Sequence, residues 1–236
     1  MDNTPQPGTI LTIDIGGSHV KATLLSDAGI PVAEYKKLDT PLPSTPVNMM
    51  RTIGELVRDF SGYNRISVGF PGYVKNGVIK TAPNLGTPEW QGYDLQTNLG
   101  KMLNQPARVV NDADLQGIGV VSGKGLEMMI TLGTGFGTAL LLDGKLLPHL
   151  ELAHHPIKTD RVYDDYIGER AYERKGKDGW NQRLKKVINI LKTVFNYDHL
   201  YISGGNARNI NFKLDDNITV VSNRDGIKGG ANLWKQ

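Results

Sequence analysis

Two stretches about half a chain apart repeat one plan. Residues 11–25, Leu-Thr-Ile-Asp-Ile-Gly-Gly-Ser-His-Val-Lys-Ala-Thr-Leu-Leu, read as strand, glycine turn, strand. Residues 128–142, Met-Met-Ile-Thr-Leu-Gly-Thr-Gly-Phe-Gly-Thr-Ala-Leu-Leu-Leu, read the same way. Each has an apolar flank rich in β-formers, a Gly/Ser/Thr centre and a second apolar flank. A polar turn follows each, Ser26-Asp27-Ala28-Gly29 and Asp143-Gly144-Lys145. The separation far exceeds the roughly 20–50 residues of a solenoid unit. It therefore predicts a duplicated fold of two similar lobes.

Strands and helices alternate in the rest of the chain. Val47, Met50, Ile53, Leu56, Val57 and Phe60 recur at helical spacing, and residues 65–70 read as a strand ending in the turn pair Pro71-Gly72. Residues 107–111 form a short strand that runs through Asp112-Ala113-Asp114 into a helical pattern. Leu184, Val187, Ile188, Leu191, Val194 and Phe195 line one face of a long helix, and residues 199–203 form a strand entering Gly204-Gly205-Asn206. This alternation argues for an α/β protein. The repeat divides it into an N-terminal lobe, 1–110, and a C-terminal lobe, 111–236, with the last helix packing back on the first lobe.

Composition narrows the class. A chain of 236 residues is long enough for a substantial core. It has no cysteine, so disulfides, thiolate nucleophiles and cysteine-ligated zinc are impossible. No apolar run approaches the roughly 18 residues of a membrane span. Residues 1–8 lack the basic start and apolar stretch of a secretory signal. A net charge of +3 is no nucleic-acid footprint. The expectation is a soluble, cytoplasmic protein without membrane or nucleic-acid partners.

Four features carry candidate chemistry. Asp14-Ile15-Gly16-Gly17-Ser18 and Leu132-Gly133-Thr134-Gly135-Phe136-Gly137 each let backbone amides approach an anion, with Ser18 as a further donor. Neither is followed by Gly-Lys-Ser/Thr and neither opens a helix, so both fit tight hairpins as well as phosphate cradles. Asp14, at the entrance of the first, is placed to hold Mg²⁺ through water. Asp112, at a strand end and a helix start, suits a catalytic carboxylate or a helix cap, a job Asn111 or Asp114 could share. His149-Leu-Glu151-Leu-Ala-His154-His155-Pro156 fits a metal site, a polar rim for a hydroxylated ligand, or surface histidines. Arg183, Lys185, Lys186 and Lys192 load one helix, either as a solvated face or as a seat for a polyanion.

In order and spacing these pieces resemble the ROK family of sugar kinases, and within it the polyphosphate-dependent glucokinase branch. The resemblance runs from Leu11 to about Trp234. Residues 13–21, Thr40-Pro41-Leu42-Pro43-Ser44-Thr45-Pro46, residues 69–74, Thr81-Ala82-Pro83-Asn84-Leu85, residues 111–114, residues 132–137, Glu151-Leu-Ala-His154 and Ser203-Gly204-Gly205 carry it.

The resemblance implies a duplicated actin-like/hexokinase (ribonuclease H-like) fold, two lobes with a cleft between them. It implies phosphoryl transfer from polyphosphate or ATP to the 6-hydroxyl of glucose or a related hexose. On that mapping Asp112 accepts the hydroxyl proton, and Asn84, Asn111, Glu151 and His154 hydrogen-bond the sugar. Asp14 with Mg²⁺, together with Gly16, Gly17, Ser18, Lys21, Gly133, Thr134 and Gly135, holds the donor phosphates, and Gly204 and Gly205 line the donor channel. A homodimer is implied as common in the family. Ala153 and His155-Pro156 depart from the family pattern and leave the hexose open. A sugar-binding sensor of low turnover is the alternative. The first strand begins too early for the N-terminal helix-turn-helix of family repressors.

Overall fold

The structure, a computed structural model, describes residues 8–86, 88–222 and 226–236. Of the N-terminal segment 1–8 only Gly8 lies within the described residues. The chain forms two compact units, Met1–Leu115 with Ile227–Gln236, and Gln116–Gly226.

In the first unit, strands β1 (Thr9–Ile15) and β2 (His19–Leu25) form an antiparallel hairpin, extended by β3 (Lys36–Asp39) on its outer side. Helix α1 (Pro46–Val57) leads to β4 (Tyr63–Phe70), which lies parallel to β1. A small hairpin, β5 (Val74–Lys75) and β6 (Val78–Ile79), and helix α2 (Leu95–Leu103) precede β7 (Ala107–Asn111), parallel to β4. The sheet order is β3-β2-β1-β4-β7. Helix α3 (Asp112–Val120) follows β7 without a break.

Alternating strand residues and the face of α1 build this core. Leu11, Ile13, Ile15, Val68, Phe70, Met49, Ile53 and Trp90 are fully buried. Thr45 caps α1 by accepting the Asn48 amide, and Pro46 occupies the first helical turn, where its missing N–H costs nothing. Val47, expected on the buried stripe, is 69% exposed. It precedes Ile53 by six residues and so projects about 120° away from it. The C-terminal residues close the other face, where Ile227 and Ala231 pack on Ile10 and Leu25. The Ser67 hydroxyl donates to the Gly230 carbonyl at 2.6 Å.

The second unit repeats the plan. Strands β8 (Leu126–Leu132) and β9 (Phe136–Leu142) form the hairpin, and β10 (Lys145–Leu146) extends it. A two-stranded ribbon, β11 (Pro156–Lys158) and β12 (Arg161–Val162), leads into helices α4 (Tyr163–Ile167) and α5 (Glu169–Phe195). Strands β13 (His199–Ser203) and β14 (Ile218–Val220) continue the sheet in parallel on the far side of β8. The order β10-β9-β8-β13-β14 matches β3-β2-β1-β4-β7 strand for strand. The duplication expected from the two glycine hairpins thus extends to whole sheets.

Helix α5 breaks at Gly176 (φ 66°), and its second part buries Trp180, Leu184, Val187, Ile188 and Leu191. Val194 lies off this face and is 64% exposed. Among the described residues no helix is long and apolar enough to cross a membrane.

Candidate active site

The turn between β1 and β2 is held from three sides. The Gly16 amide donates to the His19 carbonyl at 2.9 Å, and the Thr40 amide donates to the Ser18 carbonyl at 3.0 Å. The Thr40 hydroxyl donates to the Gly16 carbonyl at 2.6 Å. With the carbonyls tied down, the exposed Gly17 and Ser18 keep their amides unengaged among the described residues. Asn84, in an exposed turn, lies over Gly17; a Cβ there would sit 3.7 Å from the Asn84 carbonyl oxygen. Asp14, the last but one residue of β1, stands opposite Lys21, whose Nζ is 3.4 Å from its Oδ2.

The turn between β8 and β9 is built alike. The Gly133 amide donates to the Gly135 carbonyl at 3.1 Å, and the Glu169 amide donates back to the Gly133 carbonyl at 3.0 Å. The Thr134 and Gly135 amides make no hydrogen bond among the described residues. Each half of the duplication therefore presents two adjacent open amides, the arrangement that receives a phosphoryl oxygen. At the end of β13, Gly204 adopts φ 96° beneath this turn, and the Asn206 amide donates to the Leu132 carbonyl at 2.9 Å. Gly205 has open space where a side chain would stand.

After β7, Asn111 and Asp112 both reach the first amides of α3. Asn111 caps α3: its Oδ1 accepts the Ala113 amide at 2.8 Å and the Asp114 amide at 3.3 Å, while its Nδ2 donates to the Gly72 carbonyl at 3.1 Å. That leaves the buried Asn111 one N–H for any ligand. Asp112 is half-buried at the first position of α3, with Oδ1 accepting the Ala113 amide at 2.9 Å. Asn111 thus accepts two amides of the helix start, and Asp112 shares one of them.

In the second unit Glu151 lies between two imidazoles, with His149 Nε2 at 2.7 Å from Oε1 and His154 Nε2 at 3.5 Å from Oε2. The Thr138 hydroxyl fixes the segment to β9 through the Leu150 carbonyl at 3.0 Å. The His149 ring is nearly buried, whereas His154 stays half exposed, free to meet a hydroxyl group. No group of three His, Asp or Glu side chains is placed to hold a metal ion among the described residues. Asp14, a lone carboxylate one third exposed beside an ammonium, suits a hydrated Mg²⁺ held through water rather than an inner-sphere cage.

One residue escaped sequence reasoning. Asp164, in α4, accepts the Phe136 amide through Oδ1 at 2.6 Å. A Cβ on Gly135 would stand 3.0 Å from the same oxygen, so the carboxylate lies flat against the second glycine turn. Burial pushes the Asp164 carboxyl above the usual carboxylate range, opposed by the Phe136 amide and the nearby His154 and reinforced by Glu151 and Asp165. Tyr163, the preceding residue, stacks on Phe136 with ring centroids 5.4 Å apart. The only sequence signal was a tyrosine–acid pair beyond the histidine segment, with nothing to connect it to the glycine turn.

The family model described as the ROK family matches residues 10–152. A polyphosphate glucokinase of Mycobacterium tuberculosis is 33% identical over 236 aligned positions, covering 93% of this chain and 84% of the relative. The chain belongs to the ROK family. A second polyphosphate glucokinase, from Mycobacterium leprae, is 34% identical and covers 93% of this ROK chain and 69% of its own. Among solved structures, the inorganic polyphosphate/ATP-glucomannokinase of an Arthrobacter species superposes with a TM-score of 0.86 at 28% identity, covering 97% of this chain and all of that one. A ROK family glucokinase of Streptomyces griseus shares the fold, with a TM-score of 0.81 at 19% identity and coverage of 96% and 99%. The architecture is the actin-like/hexokinase fold of the ROK sugar kinases, with the two matching sheets as its halves.

Proposed function

We propose that this ROK protein is a sugar kinase that transfers a phosphoryl group from polyphosphate or ATP to the 6-hydroxyl of glucose or a related hexose. The observation that carries the reading is the matched pair of glycine turns, each holding two adjacent amides open. Likeness to polyphosphate glucokinases over 93% of the chain supports the choice of hexose and donor.

In this reading Asp112 is the base that accepts the hydroxyl proton as the phosphoryl group arrives. Phosphoryl transfer asks mainly for positioning and charge neutralisation, so one carboxylate of ordinary basicity suffices. Asn84, Asn111, Glu151 and His154 hydrogen-bond sugar hydroxyls, and His149 keeps the Glu151 carboxylate oriented. The turns at Gly16, Gly17 and Ser18 and at Gly133, Thr134 and Gly135 hold donor phosphates, with Lys21 as a cationic neighbour and Gly204 and Gly205 lining the donor path. Asp14 would hold a hydrated Mg²⁺ through water, and the ion would supply neutralisation of donor charge. The protein acts in the cytoplasm as a homodimer, which sedimentation of the purified chain would test.

The deciding experiment incubates the purified protein with glucose and Mg²⁺, with polyphosphate and with ATP in parallel. Glucose 6-phosphate should form, and Asp112→Asn should lower kcat by roughly 10²–10⁴-fold while glucose affinity is kept. Glucose binding without product from either donor would replace the kinase by a sensor.

A further inference from the structure

The basic helix singled out in the sequence divides in three dimensions. Lys192 is neutralised by Asp215 at 2.6 Å. Arg183 turns the other way, stacks its guanidinium 4.6 Å from the Tyr166 ring centroid, and donates to the Tyr166 carbonyl at 3.0 Å. Lys158 stands 5.7 Å from the same ring. Arg174 donates to the adjacent Asp165 carbonyl at 3.2 Å. Burial weakens the hold of Arg183 on its proton, Tyr166 strengthens it, and the positive charges of Arg161 and Arg174 weaken it again, which places both cations in its field.

Folding stability does not account for this gathering. Lys158 and Arg161 are direct cross-strand partners in the β11–β12 ribbon, a position where like charges repel. Among the described residues, the one carboxylate paired with any of the four cations is Asp160, 3.5 Å from Arg161 and itself 71% exposed. Asp165, Glu169 and Glu173, on the neighbouring turns, make no ion pair with them among the described residues. Four cations held close together, one of them stacked and pre-oriented, suit a multivalent anion rather than single counterions.

The location favours one such anion. Tyr166 belongs to α4, the helix whose Asp164 accepts the Phe136 amide, and Glu169, two residues past its end at the start of α5, donates to the Gly133 carbonyl. The cationic face and the second glycine turn therefore share one five-residue support. A donor such as ATP ends its phosphates at the turn, whereas a polyphosphate chain continues beyond it with a regular row of negative charges.

We propose that Lys158 and Arg183, set over the Tyr166 ring, with Arg161 across the ribbon from Lys158 and Arg174 on the Asp165 carbonyl, bind the distal segment of a linear polyphosphate donor, the part beyond the phosphoryl group being transferred. The proposal rests on the kinase reading and adds to it a site that selects long chains over ATP and tripolyphosphate.

The test is the double charge reversal Lys158→Glu/Arg174→Glu, both at exposed positions. With long-chain polyphosphate, KM should rise by roughly tenfold or more, and the slope of log KM against log salt should fall by about one for each cation contact removed. With ATP or tripolyphosphate, kcat/KM should be unchanged. Calorimetric titration with long-chain polyphosphate should show the same loss of affinity without any turnover. An unchanged KM and salt slope would overturn the proposal, as would equal losses for all three donors. Turnover with ATP but neither turnover nor binding with polyphosphate would overturn it while leaving the kinase reading intact. Should neither donor be used, the kinase reading falls, and a calorimetric difference between wild type and variant still supports the site. Equal, equally charge-dependent binding of a single-stranded RNA would reassign the patch and overturn the polyphosphate claim.

Discussion

The Asp164 carboxylate accepts the amide of Phe136, 28 residues earlier, at 2.6 Å. Replacing Asp164 by Ala orphans that amide at a cost of about 1–3 kcal/mol and frees the turn that presents Thr134 and Gly135. Donor KM should rise while sugar KM changes little. Asp164→Asn keeps an acceptor oxygen and should retain most donor affinity. Because burial raises the folded carboxyl above its unfolded value, the native protein loses stability as pH climbs from the unfolded value through the folded one. Asn cannot ionise, so the stability of Asp164→Asn relative to wild type should grow as pH rises from about 4, the ordinary aspartate value, toward neutrality. Thermal melts of the two proteins across that range check it.

Gly204 has no room for a side chain. Its φ is 96°, and an added Cβ would meet the Leu132 carbonyl oxygen at 2.3 Å and the Leu132 nitrogen at 2.6 Å. Backbone strain alone costs about 1–3 kcal/mol there, and the clash adds to it because neither partner can rotate away. Gly204→Ala should lower Tm sharply or leave the protein insoluble. Gly205→Ala, with open space at its Cβ, should melt like wild type. If both variants melted alike, the placement of the Gly204 turn under Leu132 would be wrong.

The sequence was most legible where one local pattern decides the structure. The glycine hairpins announced themselves because β-rich flanks and a Gly/Ser/Thr centre leave few alternatives, and their repetition pointed to the duplicated sheets. The edge of α1 was read less well: Val47 obeys the apolar pattern in one dimension, yet the packing of Met49, Ile53 and Leu56 turns it outward. Asn111 and Asp112 were indistinguishable as caps until the Asn111 Oδ1 was seen to accept two helix amides. Asp164 and the Lys158–Arg183 cluster depend on contacts between segments remote in sequence, and no spacing rule brings them together.

Glu127 supplies a stability test apart from the proposed chemistry. It is fully buried in β8, and its two oxygens accept the amides of Ser122 and Gly123 at 2.7 Å each and of Lys124 at 3.1 Å, with the Tyr201 hydroxyl at 3.0 Å. Burial pushes the carboxyl up, but these donors outweigh it and hold Glu127 below the usual glutamate range. A depressed folded value contributes stability that is full above the unfolded value and fades as pH falls through the folded one. Glu127→Gln turns an NH₂ group toward backbone donors and should cost about 1–3 kcal/mol for each amide left unpaired. Its stability should fall less steeply than that of wild type below about pH 4.5, near the ordinary glutamate value. Urea unfolding at neutral and acid pH measures both effects.

Thr40 acts on the first glycine turn as Asp164 acts on the second. Its hydroxyl donates to the Gly16 carbonyl at 2.6 Å and its amide to the Ser18 carbonyl at 3.0 Å, across 24 and 22 residues of chain. Thr40 is almost buried, so Thr40→Val preserves shape and removes only the hydroxyl bond, at a cost of about 1 kcal/mol. The turn that presents the Gly17 and Ser18 amides then loses one of the three bonds that hold it. Donor KM should rise several-fold with sugar KM unchanged, and Thr40→Ser, which restores the hydroxyl, should recover donor affinity. Equal losses for donor and sugar, or no recovery with Ser, would mean that Thr40 supports the fold without orienting the turn.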